Sequence, residues 1–331
     1  MATTGTASKM PIFVGFTLVL LAGACQASPY YPLQMGYYHD KCPQAEAIAK
    51  AVIEKAICKN PGNGAAVIRM LFHDCFVEGC DASVLLDPTP FSPTPEKLSA
   101  PNNPSLRGFE LIEAIKDALE AACPGVVSCS DIIAFAARDA SYFPQRRQGL
   151  LRHAIRPPRR HLLSNASEPL KFLVPPTFNL STLIDSFVVK GLSVEDLVIL
   201  SGAHTIGRSL CSSFVPAPSD IDAGFAGLLR SQCPANPSTD SGDPTVVQDV
   251  VTPNELDNQY YKNVRSRTVL FTSDAALMTS PETAKMVMDN ANIPGWWEDR
   301  YKTAMVKMAS IEVKTGQQGQ VRRNCRAINH Y

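Results

Sequence analysis

Cysteine arithmetic constrains this chain more than any other feature of its sequence. Ten cysteines occur in 331 residues, and one, Cys25, falls in an N-terminal stretch with Lys9, an apolar run from Pro11 to Ala24, and small residues around Ala24 and Ala27. That order reads as a cleaved secretory signal over residues 1–27. The apolar part is short for a membrane span, a retained anchor being the alternative, and no later segment reads as membrane-spanning. Secretion places the remaining nine, Cys42, Cys58, Cys75, Cys80, Cys123, Cys129, Cys211, Cys233 and Cys325, where disulfides form and persist. Nine is odd: eight can form four bridges in roughly a hundred pairings, and one stays single or pairs with another molecule. Cys58, inside the helical run AEAIAKAVIEKAICK, is expected to be the odd one.

A chain so braced, 45% apolar, can enclose a sizeable core. Residues 45–59, 64–76, 106–122, 131–141, 182–189, 194–200 and 296–313 show helical apolar spacing, whereas strand alternation is scarce. Ser193 before Glu195 and Asp196 predicts a helix start, and Gly191 the end of the helix before it. The Pro-rich stretches 87–104 and 234–244 read as loops rather than linkers, so residues 28–331 are expected to form a single, mostly helical domain. Lys plus Arg and Asp plus Glu number 31 each, which leaves no global field to draw the molecule to nucleic acid or anionic lipid. Asn165-Ala-Ser167 and Asn179-Leu-Ser181 match the N-glycosylation pattern. Residues 143–163, FPQRRQGLLRHAIRPPRRHLL, stand apart with six arginines, two histidines and no acid, and read as a solvated basic face.

Chemistry concentrates in VIRMLFHDCFVEGCDASVLL, Val67 to Leu86, where an arginine, a histidine and two aspartates interrupt an apolar run. On one helix Arg69 and His73 lie four residues apart and face the same target, with Phe72 beside them. A permanent cation next to a group titrating near neutrality suits proton transfer with charge stabilisation; a core histidine near a surface arginine is the plainer reading. Asp74, Asp81 and Ser83 around Gly79 suit either a hard cation such as calcium or a solvated acidic turn. Downstream, His204 stands in LSGAHTIGR before Thr205, QDVVTPNELDNQYY offers Asp249, Thr252 and Asp257 as further hard donors, and Asp274 in LFTSDAAL needs a partner if buried.

Together RMLFHDCFVEGCDASVLL, LSGAHTIGRSLC, TPNELDNQYY and LFTSDAALMTSP, in that order, resemble the secreted plant haem peroxidases, class III of the plant peroxidase superfamily. GYYHDKCP, VVSCSDIIAFAARDA and GQVRRNC extend the resemblance over most of the chain beyond the leader. It implies an all-α fold with few short strands and haem b between distal and proximal helical halves. His204 becomes the axial ligand to haem iron, and Asp274 accepts the proton on its other ring nitrogen, making the imidazole a stronger donor. His73 becomes the base that moves the proton of hydrogen peroxide, Arg69 stabilises developing charge, Phe72 lines the site, and Asn102, in the APNN turn, orients His73. Two calcium ions are implied. The distal one maps onto Asp74, Val77, Gly79, Asp81 and Ser83, with Glu96 acting through water; the proximal one maps onto Thr205, Asp249, Thr252, Glu255 and Asp257, Glu255 offering its backbone carbonyl. The implied bridges are Cys42–Cys123, Cys75–Cys80, Cys129–Cys325 and Cys211–Cys233. The implied reaction is reduction of hydrogen peroxide with one-electron oxidation of phenolic or other small aromatic donors, by a secreted, extracellular or cell-wall monomer.

The chain departs from the family between Ala140 and Asn165. A Gly-Gly-Pro turn, a piece carrying a substrate-channel proline and a Gly-Arg-Arg-Asp-Gly motif are all replaced by the Arg- and Pro-rich segment. Flanks that fit on both sides point to a local reading-frame error there. Read as it stands, the segment removes the channel proline and the arginine expected to pair with Asp131, leaving a catalytically impaired binding protein as the alternative function.

Overall fold

Ala45, Ala49, Ile53 and Ile57 recur at helical spacing and form the buried stripe of α1 (Ala45–Lys59), as an amphipathic helix on a core requires. In this computed structural model the chain divides after Tyr31, and the account that follows concerns the unit beyond it. The structure describes residue 1 and residues 36–142, 165–215, 221–238, 242–313 and 319–329. The leader and the basic segment 143–163 lie outside the described residues.

α2 (Gly62–Glu78), α3 (Phe109–Ala122) and α4 (Cys129–Tyr142) follow α1. α1 packs on α3 and α4, and α2 lies along α4. α2 buries Val67, Met70, Leu71 and Phe76 but also His73 and Asp74, so its inward face is not purely apolar. α5 (Glu168–Phe172), α6 (Leu180–Val189) and α7 (Val194–Ser201) come next. Ser193 caps α7 in a reciprocal box with Asp196, and Gly191, at φ +73°, turns the chain out of α6. Both match the sequence reading. α7 runs straight into a 3-10 turn, Gly202–Thr205, that carries His204.

Beyond that turn β1 (Arg208–Leu210) pairs antiparallel with β2 (Thr245–Val247), Ser209 opposite Val246. α8 (Ala223–Gln232), α9 (Gln259–Ser266), α10 (Thr272–Ala276), α11 (Pro281–Asn292) and α12 (Trp296–Met308) complete the elements. α9 packs on α11 and on the His204 turn, and α12 on α7. The described residues thus hold twelve α-helices and one two-stranded sheet, the all-α fold that the resemblance implies. None of the described helices is long and apolar enough to cross a membrane.

One large core runs from Tyr38 to Cys325 and draws on nearly every helix; a smaller one joins Phe214, Phe225, Leu229, Val246, Leu270 and Phe271. Disulfides join Cys42 to Cys123, Cys75 to Cys80, Cys129 to Cys325 and Cys211 to Cys233, and Cys58 is exposed and free. Some boundaries differ from the sequence reading. α3 starts at Phe109 rather than Leu106, because Asn102 to Leu106 close a tight turn of their own. α12 stops at Met308 instead of reaching Val313, since Ile311 O accepts from Cys80 N at 3.2 Å and Glu312 meets Lys190 Nζ at 3.2 Å.

Candidate active site

The four-residue spacing of Arg69 and His73 on α2 brings the side chains into contact: Arg69 Nε–H donates to His73 Nε2 at 3.0 Å. A guanidinium can only donate, so Nε2 carries the lone pair and the ring proton sits on Nδ1, which donates to Asn102 Oδ1 at 2.6 Å. Asn102 is itself fixed, its Nδ2 donating to Glu96 O at 2.8 Å. Burial, then the Arg69 charge, pushes the His73 pKa down to about 3, so the imidazole is a neutral, oriented base at physiological pH. Three further contacts hold the Arg69 fork: Nη1 to Ser105 O at 3.0 Å, and Nη2 to Pro101 O and Ser105 Oγ, each at 2.9 Å. Burial and the nearby Arg107 lower its pKa to about 10, and it stays cationic at neutral pH. Phe72 flanks the pair, its ring edge-on to His73 at 5.6 Å.

The second histidine is held from behind. His204 Nδ1–H donates to Asp274 Oδ1 at 2.8 Å, and Tyr260 O–H donates to the same oxygen at 2.8 Å. Asp274, in the first turn of α10, is buried, whereas the His204 side chain is 38% exposed. Nε2 has no hydrogen bond among the described residues, and the Phe271 ring lies edge-on at 5.2 Å. An imidazole fixed through Nδ1 with Nε2 free has the form of a metal-ligating histidine with its carboxylate support. The two histidine segments meet where Gly207, at φ +98°, passes α2. A Cβ there would come 3.0 Å from Ala65 Cβ, and Arg69 and His73 follow Ala65 on successive turns of the same helix face.

Beside each histidine lies a set of hard oxygen donors. Asp74 is 1% exposed and neither of its carboxylate oxygens has a hydrogen-bond partner among the described residues. Burial, then Asp81 and Glu96, raise its pKa well above the usual range; burial, then the Asp81 charge, brings Glu96 to about 8. Ser83 Oγ donates to Glu96 Oε1 at 2.9 Å and Ser83 N to Asp81 Oδ1 at 2.8 Å. Such a buried, donor-starved carboxylate cluster fits a cation. No side-chain contact draws in Val77 and Gly79; Val77 O instead accepts from Lys190 Nζ at 3.1 Å. On the other side Thr205 Oγ1 lies 3.2 Å from Asp249 Oδ2 and 3.1 Å from Asp257 Oδ1, and Thr252 Oγ1 3.4 and 3.2 Å from the same two oxygens. Glu255 is exposed, its backbone N donating to Thr252 O at 3.1 Å. Two carboxylates converging with two hydroxyls also suit a hard cation.

Asn165 and Asn179 are both exposed, Asn179 Oδ1 capping α6 through Thr182 N at 3.0 Å. Asp131 is fully buried; Tyr38 O–H donates to it and its own N donates to Ser128 Oγ, while Oδ1 has no partner among the described residues. Burial drives its pKa up to about 7 against the hydrogen bonds from Tyr38 and Ser128. Sequence reading missed Tyr260 and the Pro101–Ser105 cradle. Tyr260 was inside a quoted motif, but only the packing of α9 on the His204 turn turns its hydroxyl onto Asp274.

A family model described as Peroxidase matches residues 49–293. The chain is 71% identical to Peroxidase 2 of Zea mays, over the full length of both. It is 43% identical to Peroxidase 5 of Vitis vinifera, covering 97% of this chain and 99% of that one, and 42% identical to Peroxidase 1 of Zea mays, covering 99% and 90%. With the family model spanning most of its length, relatives matched end to end, and a neutral histidine base against a fixed arginine, the chain belongs to the peroxidase family, in its plant class III branch, and is a peroxidase.

Proposed function

We propose that the chain is a secreted enzyme that binds one haem b between His73 and His204, reduces hydrogen peroxide, and oxidises phenolic or other small aromatic donors one electron at a time. The redox chemistry, two electrons to peroxide and their return singly from donors, is what bound haem supplies. The residues present fit it: His204 Nε2 is free to ligate, and Asp274 holds the other nitrogen. Asp74, Asp81, Ser83 and Glu96 fit one calcium ion, and Thr205, Asp249, Thr252 and Asp257 a second.

The observation that carries the reading is the unprotonated Nε2 of His73 facing Arg69. Nε2 takes the proton from the near oxygen of hydrogen peroxide and returns it to the far oxygen, which leaves as water. Arg69 Nε–H occupies that lone pair at 3.0 Å, so peroxide has to displace this bond, and the freed guanidinium then faces the charge that develops as the O–O bond breaks. Asn102 keeps the tautomer, since its Oδ1 accepts the Nδ1 proton. Behind His204, Asp274 raises the donor strength of the imidazole.

Secretion, a leader at 1–27 and glycans on Asn165 and Asn179 belong to the same reading, as does a monomeric 28–331 domain. Nothing among the described residues favours the catalytically impaired alternative. The proposed reading-frame error at 143–163 is tested by sequencing the transcript; an in-frame message for these residues refutes it. The enzyme itself is tested by offering hemin to the folded protein with its cystines and Ca²⁺ verified. A Soret band and guaiacol oxidation with peroxide are expected, and a protein that stays colourless refutes the reading.

A further inference from the structure

Two donors meet on one oxygen behind His204. Asp274 Oδ1 accepts from His204 Nδ1–H and from Tyr260 O–H, each at 2.8 Å. Asp274 and Tyr260 are both 2% exposed, so neither bond is shared with bulk water. α9 brings Tyr260 there by packing on the 3-10 turn of His204, with the phenol ring edge-on to the imidazole at 6.1 Å. The next ring, Tyr261, lies 5.0 Å from Tyr260 but turns its hydroxyl elsewhere. Tyr261 O–H donates to Val198 O at 2.9 Å and Ile199 O at 3.2 Å, in the α7 helix that leads into the same turn.

A hydrogen bond to a carboxylate spreads its charge and lowers its affinity for a further proton. The Nδ1 proton of His204 lies between a nitrogen and an oxygen whose basicities compete for it. If the imidazole were the only donor to Oδ1, the buried anion would draw that proton strongly, because burial leaves its charge poorly compensated. The Tyr260 hydroxyl, on the same oxygen, weakens that attraction and holds the proton on Nδ1. An imidazole that keeps its Nδ1 proton is a poorer electron donor at Nε2 than one that has largely yielded it. Tyr260 thus opposes the effect of Asp274, and the donor strength of His204 is set by the balance of the two.

We propose that Tyr260 is a positioning residue for the peroxidase reaction: through Asp274 it limits the electron donation of His204 to haem iron, which keeps the iron a strong oxidant of phenolic donors. This rests on the reading of His204 as the haem ligand. Stronger axial donation favours ferric over ferrous iron, so loss of the Tyr260 hydroxyl lowers the reduction potential. The ring itself is not required for this effect; Y260F keeps the packing on His204 and removes only the donor.

The test uses the full-length, haem-loaded enzyme. In Y260F the ferric state is expected to gain about threefold over the ferrous, a fall of about 28 mV for a one-electron couple. The iron–histidine stretch of the reduced enzyme, read by resonance Raman, is expected to move to higher frequency. A ring-fluorinated tyrosine in place of Tyr260 is a stronger donor and is expected to move both readouts the opposite way, which a loosened fold cannot do. Y261F removes the neighbouring hydroxyl from the same turn and is expected to move neither. An unchanged potential in Y260F overturns the proposal, as does a fall in potential in the fluorinated protein or an equal shift in Y261F. Should Y260F fail to take up haem, the sign of the shift in the fluorinated protein decides. A wild-type protein that forms no haem complex, or whose reduced complex shows no iron–histidine stretch, refutes instead the assignment of His204.

Discussion

His73 owes its usefulness to what surrounds it rather than to its type. A histidine in water is half-protonated near pH 6.5, whereas burial and Arg69 hold this one near 3, so its base form is present throughout the physiological range. H73L removes the proton acceptor without touching the Asp274–His204 pair. Stopped-flow measurement of the reaction with peroxide is expected to show a loss of about 10²- to 10⁴-fold with the Soret band retained; a loss under tenfold would remove His73 from the proposed role. Asp131 is the converse case, a buried carboxyl raised to about 7 with one oxygen lacking a partner among the described residues. Its folded pKa lies above its unfolded one, so its contribution is fully present below about pH 4 and is lost as pH rises towards 7. D131N abolishes that titration. The variant's stability relative to wild type, read from denaturant melts, is expected to improve by a few kcal/mol between pH 4 and pH 8, and a difference independent of pH refutes the assignment.

Helices written by local rules were the ones legible in the sequence, and α7 shows why. Ser193 accepts from Asp196 N at 3.1 Å, and Asp196 Oδ2 accepts from Ser193 N at 2.9 Å, a box built from residues three apart. S193A is expected to cost about 1 kcal/mol, and D196A more, because Asp196 also pairs with Lys307 of α12 at 2.8 Å; equal losses in denaturant melts would remove the α12 contact from the account. α9 and α11 were not anticipated. Both are polar helices whose buried residues, Tyr260, Tyr261 and Val264 on α9 and Val287 and Ala291 on α11, make sense only against each other and against the His204 turn. The site divides in the same way. Arg69 and His73 touch because i and i+4 share a helix face, and Thr205, Asp249 and Asp257, grouped in the sequence only by the family resemblance, lie within hydrogen-bond reach of one another. The Pro101–Ser105 cradle of Arg69 depends on a turn more than thirty residues away, and Lys190 at Val77 O on a helix still further along; no periodicity carries such contacts.

Across the whole molecule a donor cluster and nearby cystines brace the ground around each histidine. Asp74 follows His73, and Ser83, Glu96 and Asn102 form a hydrogen-bonded path back to it. Chelation with EGTA is therefore expected to lower Tm and to slow the peroxide reaction together, both restored by added Ca²⁺; a fall in Tm alone would uncouple the cluster from His73. The cystines differ in how much of the chain each closes. Cys129–Cys325 spans a separation of 196 residues and fixes the C-terminal segment to α4, where Arg322 donates to Cys325 O and Ala82 O. Cys211–Cys233 spans only 22 and staples the smaller core. Loop-closure entropy in the unfolded chain makes the first worth about 5 kcal/mol and the second about 3 kcal/mol. Double serine variants of each pair, unfolded in guanidinium, are expected to lose stability in that order by a margin of about 2 kcal/mol. Packing pulls the other way: Cys211 lies in a small core with few other anchors, whereas Cys129 and Cys325 adjoin the large one. If the Cys211–Cys233 variant proves the less stable, local packing rather than loop closure governs how these bridges hold the fold.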